Sequence, residues 1–287
     1  MSNSATSLTM PEARQFGWSL RDISTSGFEL HKRANGQFCV VLNHALLRGV
    51  RADMIAWWFQ NFANLKVRLS GVPSYEDTEV PAYYLWHPYD HHSATLLGKT
   101  GPGGVAQAGA KIHIREAMQY DKLGWKYPVD TQLNILYVGP DGWAMGKVLS
   151  VLGPAMVLRI SFKDVFEEGV HVGVHYHYEI VVGLSGSDFI SRRINRKLVA
   201  SYGPEFFEAW QTHNVIEVGT FENFLAPLCA QSSDPTSLHY HPDMNPVVEP
   251  TAERGGYDRN LLAARVEAYR QTDDPYQVQA FAERSFL

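Results

Sequence analysis

The sequence predicts an α+β fold in which a curved antiparallel sheet wraps one long late helix and encloses a cavity with it. Three observations carry this. From about residue 109 to 185, strand-like segments follow one another with short turn-forming gaps. Residues 204 to 228 read as one helix, opened by Pro204 and closed around Pro227. Of the 287 residues 45% are hydrophobic, enough to bury one large core.

In chain order, residues 1–16 are polar and expected to be loose, residues 17–244 form the single domain, and residues 245–287 are a C-terminal extension. Between Gly17 and Leu47, "NGQFCVVL" offers an Asn-Gly turn before a β-branched run. "RADMIAWWFQNF" has helical spacing through Met54, Ala56, Trp57 and Trp58. "AYYLWHPYDHHSATLL" reads as loop, broken by Pro88, and "TGPGGVAQAGAK" as linker or flap, since it lacks a phosphate-loop signature. The strands "AKIHIREAMQY", "QLNILYVG", "WAMGKVLSVL", "AMVLRISFKDV" and "VHVGVHYHYEIVVG" come next, then the late helix, then one amphipathic helix near "NLLAARVEAYRQ".

Composition excludes several function classes. The formal charge is −5 with both signs scattered, so no basic stripe marks a nucleic-acid or anionic-membrane surface, and a small, mostly neutral ligand fits better. Cys39 and Cys229 cannot form a disulfide framework and suit a reducing compartment. No apolar run approaches the roughly 20 residues of a membrane span, and "MSNSATSLTMPEARQ" lacks the pattern of a signal peptide. The expectation is a cytoplasmic protein without nucleic-acid or membrane partners, with homo-oligomerisation left open.

The functional signal is polar residues where apolar ones belong. Phe206, Trp210, His213, Glu217, Phe221, Phe224 and Leu228 fall along one stripe of the late helix, so His213 and Glu217 are expected inside. Their spacing of four places them about 40° apart in rotation and roughly 6 Å apart in rise, convergent enough for one metal ion. A buried carboxylate needs such a cation, because desolvating an unpaired charge costs several kcal/mol. The bland alternative is an exposed i,i+4 pair or a satisfied core histidine. In "AKIHIREAMQY" the period-2 face is Ala110, Ile112, Ile114, Glu116, Met118 and Tyr120, again with one acid among apolar residues. A one-residue bulge would instead turn His113 inward. "LWHPYDHHS" offers His87, Asp90, His91 and His92. Two His and two Glu suit zinc best, with manganese or ferrous iron as alternatives.

Together, "YYLWHPYDHH", the glutamate of "HIREAM", "VHYHYEIVVG" and "HNVIE" resemble the zinc-dependent 2,4-diacetylphloroglucinol hydrolases and phloretin hydrolases over about residues 80 to 225. The resemblance implies a helix-grip (Bet v 1-like or START-like) fold and a Zn2+ ion held by His91, Glu116, His213 and Glu217, with His87 and His92 as alternatives to His91. It implies that Tyr83 holds a phenolic oxygen of the substrate. It further implies His175 as the catalytic acid or base, with Tyr178 and His171 as substrate-binding groups, an arrangement that requires a bulge or curvature, since His171, His175 and His177 alternate with Val170, Val172, Val174, Tyr176 and Tyr178. An outward histidine row is the alternative. After His91 the chain reads "HSAT", which leaves no place for the family's polar amide there.

The implied reaction is hydrolysis of the carbon–carbon bond between an acyl group and a phloroglucinol-type ring, with a small aromatic ketone as substrate. The rival from another class is a non-catalytic helix-grip protein that binds an aromatic or lipid-like ligand. A ferrous dioxygenase acting on phenols is a further alternative. A metal-free pair of Glu116 and Glu217 lacks carbohydrate-binding features around it, and no G-x-S-x-G elbow occurs.

Overall fold

The computed structural model describes residues 9–149, 152–200, 202–244 and 257–271. Its elements are β1 (Ser26–Lys32), β2 (Phe38–His44), α1 (Ala52–Asn61), β3 (Lys66–Leu69), β4 (Thr78–Pro81), α2 (Tyr83–Trp86), β5 (His91–Leu97), β6 (Lys111–Ala117) and α3 (Tyr120–Leu123). Then come β7 (Pro128–Gly139), β8 (Gly142–Leu149), β9 (Gly153–Glu167), β10 (Val170–Val182), α4 (Phe189–Ala200), α5 (Pro204–Gly219), α6 (Phe221–Cys229), β11 (His239–Tyr240) and α7 (Arg259–Gln271).

The α+β class holds. Eight strands form one antiparallel sheet in the order β1-β2-β10-β9-β8-β7-β6-β5. Strands β5 to β10 are a meander, each paired with the next, so short turns fix most of the topology. Within this sheet the pairing of β2 with β10 joins distant sequence. Gly36, at φ 80°, makes the expected turn between β1 and β2.

The late helix is two helices in near continuity. Thr220 keeps a right-handed helical backbone between α5 and α6, and its Oγ1 lies 2.8 Å from the Trp86 carbonyl and 2.7 Å from that of Glu217. Thr220 thereby ties the helix junction to α2. Pro227 sits inside α6 and does not close it. The carbonyl of Asn223, four residues back, receives the Tyr240 hydroxyl at 3.4 Å. Nor is α5 amphipathic: Gln211, Asn214, Val215 and Val218 are buried as well as Trp210, His213 and Glu217 of the expected stripe. The sheet covers one side, and the chain around Ser26 and α7 covers others. Gln211 donates to Ser26 Oγ at 2.9 Å, and Leu262 and Val266 of α7 are buried.

The core is aromatic. Phe59 of α1 stacks on Trp143 of β8 at 4.9 Å, Trp58 meets Phe224 of α6 at 4.9 Å, and Trp86 stacks on Phe221 at 5.5 Å. Three layers are thus locked together: sheet, α1 with α2, and the late helix pair.

Several expectations change. Residues 9–16 are packed: Met10, Arg14 and Phe16 are buried, Arg14 donates to the carbonyls of His87 and His91, and Phe16 stacks on Trp18. Residues 1–8 lie outside the described residues, as do 245–256 and 272–287 of the extension. The segment read as loop contains α2 and β5. Helix α4 and the small sheet β11-β3-β4 had no counterpart in the sequence reading. The buried residues of α4 are Ser191 and Asn195, so it lacks the apolar stripe by which helices are read. Among the described residues no helix is long and apolar enough to cross a membrane.

Candidate metal centre

His91, Glu116, His213 and Glu217 converge. Strand β6 keeps unbroken register with β7 from Lys111 to Ala117, so no bulge diverts Glu116 from the inner face. His91 pairs directly with Glu116, while the register shifts between His91 and Ser93. His92 is the extra residue, and the bulge leaves His91 on the side of Glu116. His92 bonds Ser93 and takes no part. His213 and Glu217 come from successive turns of α5.

His91 Nε2 lies 3.6 Å from Glu116 Oε2 and 3.7 Å from Glu217 Oε1. His213 Nε2 lies 3.9 Å from Glu116 Oε1 and 3.9 Å from Glu217 Oε2. One ligand atom from each of His91, His213 and Glu217 lies within 4.8 Å of the others. This buried cluster can hold a metal ion.

Each of the four side chains has an outer partner that aims it, as ligands require. His91 Nδ1 donates to the Tyr83 carbonyl at 3.0 Å, and its ring stacks on that of Tyr83 at 3.8 Å. That leaves Nε2 as the acceptor, fully buried and without a hydrogen-bond partner. An orphaned lone pair between two carboxylates fits a cation better than any other occupant. His213 Nδ1 donates to Asp90 Oδ2 at 2.8 Å, and the backbone N–H groups of Gln119 and Tyr120 each donate to Asp90 at 2.8 Å. Gln119 adopts a left-handed φ of 52°, which directs these two consecutive N–H groups onto one carboxylate. Tyr83 Oη donates to Glu116 Oε2 at 2.7 Å, and Asn214 Nδ2 to Glu217 Oε2 at 3.1 Å.

His87 is adjacent but turned away. Its Nδ1 accepts the backbone N–H groups of Tyr89 and Asp90, at 3.2 and 3.1 Å, so its Nε2 carries the proton and faces Asp90. The grouping of His87, Asp90 and His213 is therefore the support of His213, since its middle member is already saturated by donors.

Without metal the centre holds protons in unusual places. Burial pulls the His213 imidazolium down, but Glu116, the Asp90 hydrogen bond and Glu217 outweigh it and raise its pKa to about 9. Burial and Glu116 push Glu217 up to about 8, against the pull of His213. Burial drives His91 well below its ordinary value and takes His44 and His87 down to about 3. Burial opposes ionisation of Asp90, yet His87, His213 and the Tyr120 N–H hold it down to about 2.

Raised pKa values stabilise at low pH, and that contribution is lost as pH climbs from 4.5 to about 8 for Glu217 and from 6.5 to about 9 for His213. Lowered histidine pKa values act oppositely: their contribution is complete above 6.5 and is lost as pH falls below it. Metal-free protein is expected to be most stable near pH 6.5, with stability falling toward pH 9. Metal displaces the ligand protons and should abolish the alkaline decline. Melting curves at pH 6.5 and 8.5, with and without zinc, check this; an equal decline in both would refute it.

The centre lies at the inner end of a cavity between sheet and α5. A chamber of about 60 Å³ lined by Tyr83, His213, Asn214 and Glu217 lies beside one of about 200 Å³ lined by Met118, Met156, Tyr202 and Phe206. Both share Ile114, Glu116, Met145, Leu158, Tyr178 and Trp210.

The strand histidines do not reach this cavity. Strand β10 is bulged between His171 and Gly173, before His175, and its register with β9 then runs unbroken to Val182. Alternation consequently turns Tyr176, Tyr178 and Ile180 inward and leaves His175 exposed on the outer face. His171 bonds Asp164 at 2.8 Å, away from the chamber walls. The catalytic assignment of His175 and the substrate-binding assignment of His171 are thus corrected. Tyr178 lines both chambers, and Tyr83 lines the inner one with its hydroxyl bound to Glu116. Asp90, Asn214 and His44 escaped the sequence reading as supporting residues. The only local hint was the i,i+3 spacing of Asn214 and Glu217.

No family model and no curated protein matches the chain. A solved structure of a protein of unknown function from Staphylococcus aureus is similar at a TM-score of 0.31 and 9% identity, covering 64% of this chain and 96% of that one.

Proposed function

We propose that this chain is a cytoplasmic zinc-dependent hydrolase of helix-grip type, cleaving the carbon–carbon bond between an acyl group and a phloroglucinol-type ring, as its resemblance to the diacetylphloroglucinol and phloretin hydrolases implies. The observation that carries the reading is the convergence of His91, Glu116, His213 and Glu217 at the end of an apolar chamber. A donor set of two imidazoles and two carboxylates suits Zn2+ and leaves a divalent charge neutralised. When bound there, zinc would supply a water of lowered pKa and polarise an acyl oxygen.

The remaining work falls to this chain's side chains. The chamber walls carry no lysine or arginine, which favours a neutral aromatic ketone over an anionic substrate. Tyr178, whose pKa burial and the charges of Glu217 and Glu116 raise well above the usual range, stays protonated and donates to a phenolic oxygen of the ring. Tyr83, which lines the inner chamber and holds Glu116 in place, is the second group placed to meet a phenolic oxygen. In the net reaction the hydroxyl of water joins the acyl carbon and a proton joins the ring carbon, giving a carboxylic acid and the free phenol.

The test is an anaerobic assay of zinc-loaded protein on mono- and diacylphloroglucinols and phloretin, with products identified. Acid plus free ring is the expected outcome, and Tyr178→Phe should lower kcat by about 10²-fold or more. Turnover that requires oxygen would point to a dioxygenase. Protein that carries no metal and binds these ketones unchanged would be the non-catalytic binder.

A further inference from the structure

Beyond the four candidate ligands, one buried polar chain reaches the centre from strand β2. His44 ends β2 and is buried, its ring edge-on to Tyr176 at 5.5 Å. Its Nε2 lies 2.9 Å from Asn214 Oδ1, and Asn214 Nδ2 lies 3.1 Å from Glu217 Oε2. Neither residue contributes to the ligand set, and burying both costs free energy unless their hydrogen bonds are made.

The direction of every bond is dictated. A carboxylate coordinating a cation can only accept, so Asn214 must present its NH2 group to Glu217. Its carbonyl oxygen then faces His44, which must donate from Nε2. Nδ1 of His44 is left as an acceptor, buried and without a partner. That unsatisfied atom is hard to reconcile with a purely structural histidine, since a phenylalanine would fill the same space without a stranded polar atom. With Oε2 of Glu217 held from this side, Oε1 is the oxygen presented to His91.

We propose that His44 and Asn214 are positioning residues for Glu217: His44 fixes the amide of Asn214, and the amide fixes the rotation of the Glu217 carboxylate so that it meets the ion shared with His91 and His213. The inference rests on the metal-centre reading above. It makes His44, 173 positions before Glu217 in sequence, part of the metal site through a single intervening side chain.

The test measures affinity for Zn2+ alone, by competition with a chromophoric chelator, and needs no substrate. Asn214→Leu, close in shape but without hydrogen bonds, is expected to weaken zinc binding by about 10–100-fold. His44→Phe keeps the ring and should weaken it several-fold, and His44→Gln, which restores an N–H donor, should recover most of the loss. Because His44 acts through Asn214, the double variant His44→Phe/Asn214→Leu should be no weaker than Asn214→Leu alone. A merely structural role predicts additive losses and no rescue, and either result would overturn the relay. Should Asn214→Leu fail to fold, Asn214→Ser serves in the same cycle. Wild-type protein that binds zinc while all these variants bind it equally well defeats the relay alone. Wild-type protein with no zinc affinity defeats the metal-centre reading and the relay together.

Discussion

His213→Ala is expected to leave the protein folded but unable to retain zinc through gel filtration, with turnover of acylphloroglucinols lost in parallel. Removing His213 deletes one of two nitrogen donors and strands Asp90, which the Gln119 and Tyr120 N–H groups would still hold ionised. Glu217→Gln should act comparably, since a neutral amide cannot balance the divalent charge. Both effects should exceed the 10–100-fold loss typical of an outer partner. Elemental analysis should return about one zinc per chain for wild type and far less for either variant. Full zinc occupancy in His213→Ala would show that the four side chains do not share an ion.

The second large effect is on stability. Arg21 and Glu222 form a buried pair at 2.6 Å, with side chains 2% and 5% exposed. Arg21 also donates to the carbonyls of Ala45 and Leu46, and Glu222 accepts the Arg48 N–H, so both ends are saturated. The pair joins the N-terminal segment to α6, immediately after the turns that carry His213 and Glu217. Arg21→Met leaves Glu222 buried without its cation and should cost about 3–5 kcal/mol, a fall in Tm on the order of 10 °C. Adding Glu222→Leu should recover much of the loss, because replacing a whole buried pair by apolar groups is often neutral. Thermal denaturation of the single and double variants checks both statements. A single variant as stable as wild type would contradict the first.

The sheet is legible from β6 to β10 because these are consecutive antiparallel strands, whose order follows from their turns and whose faces follow from alternation. Glu116 could be placed on the inner face from six residues, since β6 carries no bulge. His213 and Glu217 stood out because a helix repeats every 3.6 residues and their neighbours on that face are large and apolar. These are local periodicities, and local periodicity survives in a single sequence.

His91 and His175 show where that reasoning stops. A bulge exists only in relation to a partner strand: the extra residue at His92 keeps His91 inside, while the bulge at His171 and Gly173 comes too early to bring His175 in. Helix α4 is illegible because its buried face is polar, and the packing of residues 9–16 leaves no local pattern because Arg14 donates to carbonyls some seventy positions away. The sequence by itself determined the class of fold, the meander from β6 onward and three of the four converging residues, through spacing and hydrophobic pattern. Tertiary structure alone decided which histidine completes the set, which strand residues face the chamber, and which of Asp90, Asn214 and His44 aim the ligands. Hydrogen-bond direction and strand register are properties of pairs brought together by folding, and no repeat along one chain encodes them.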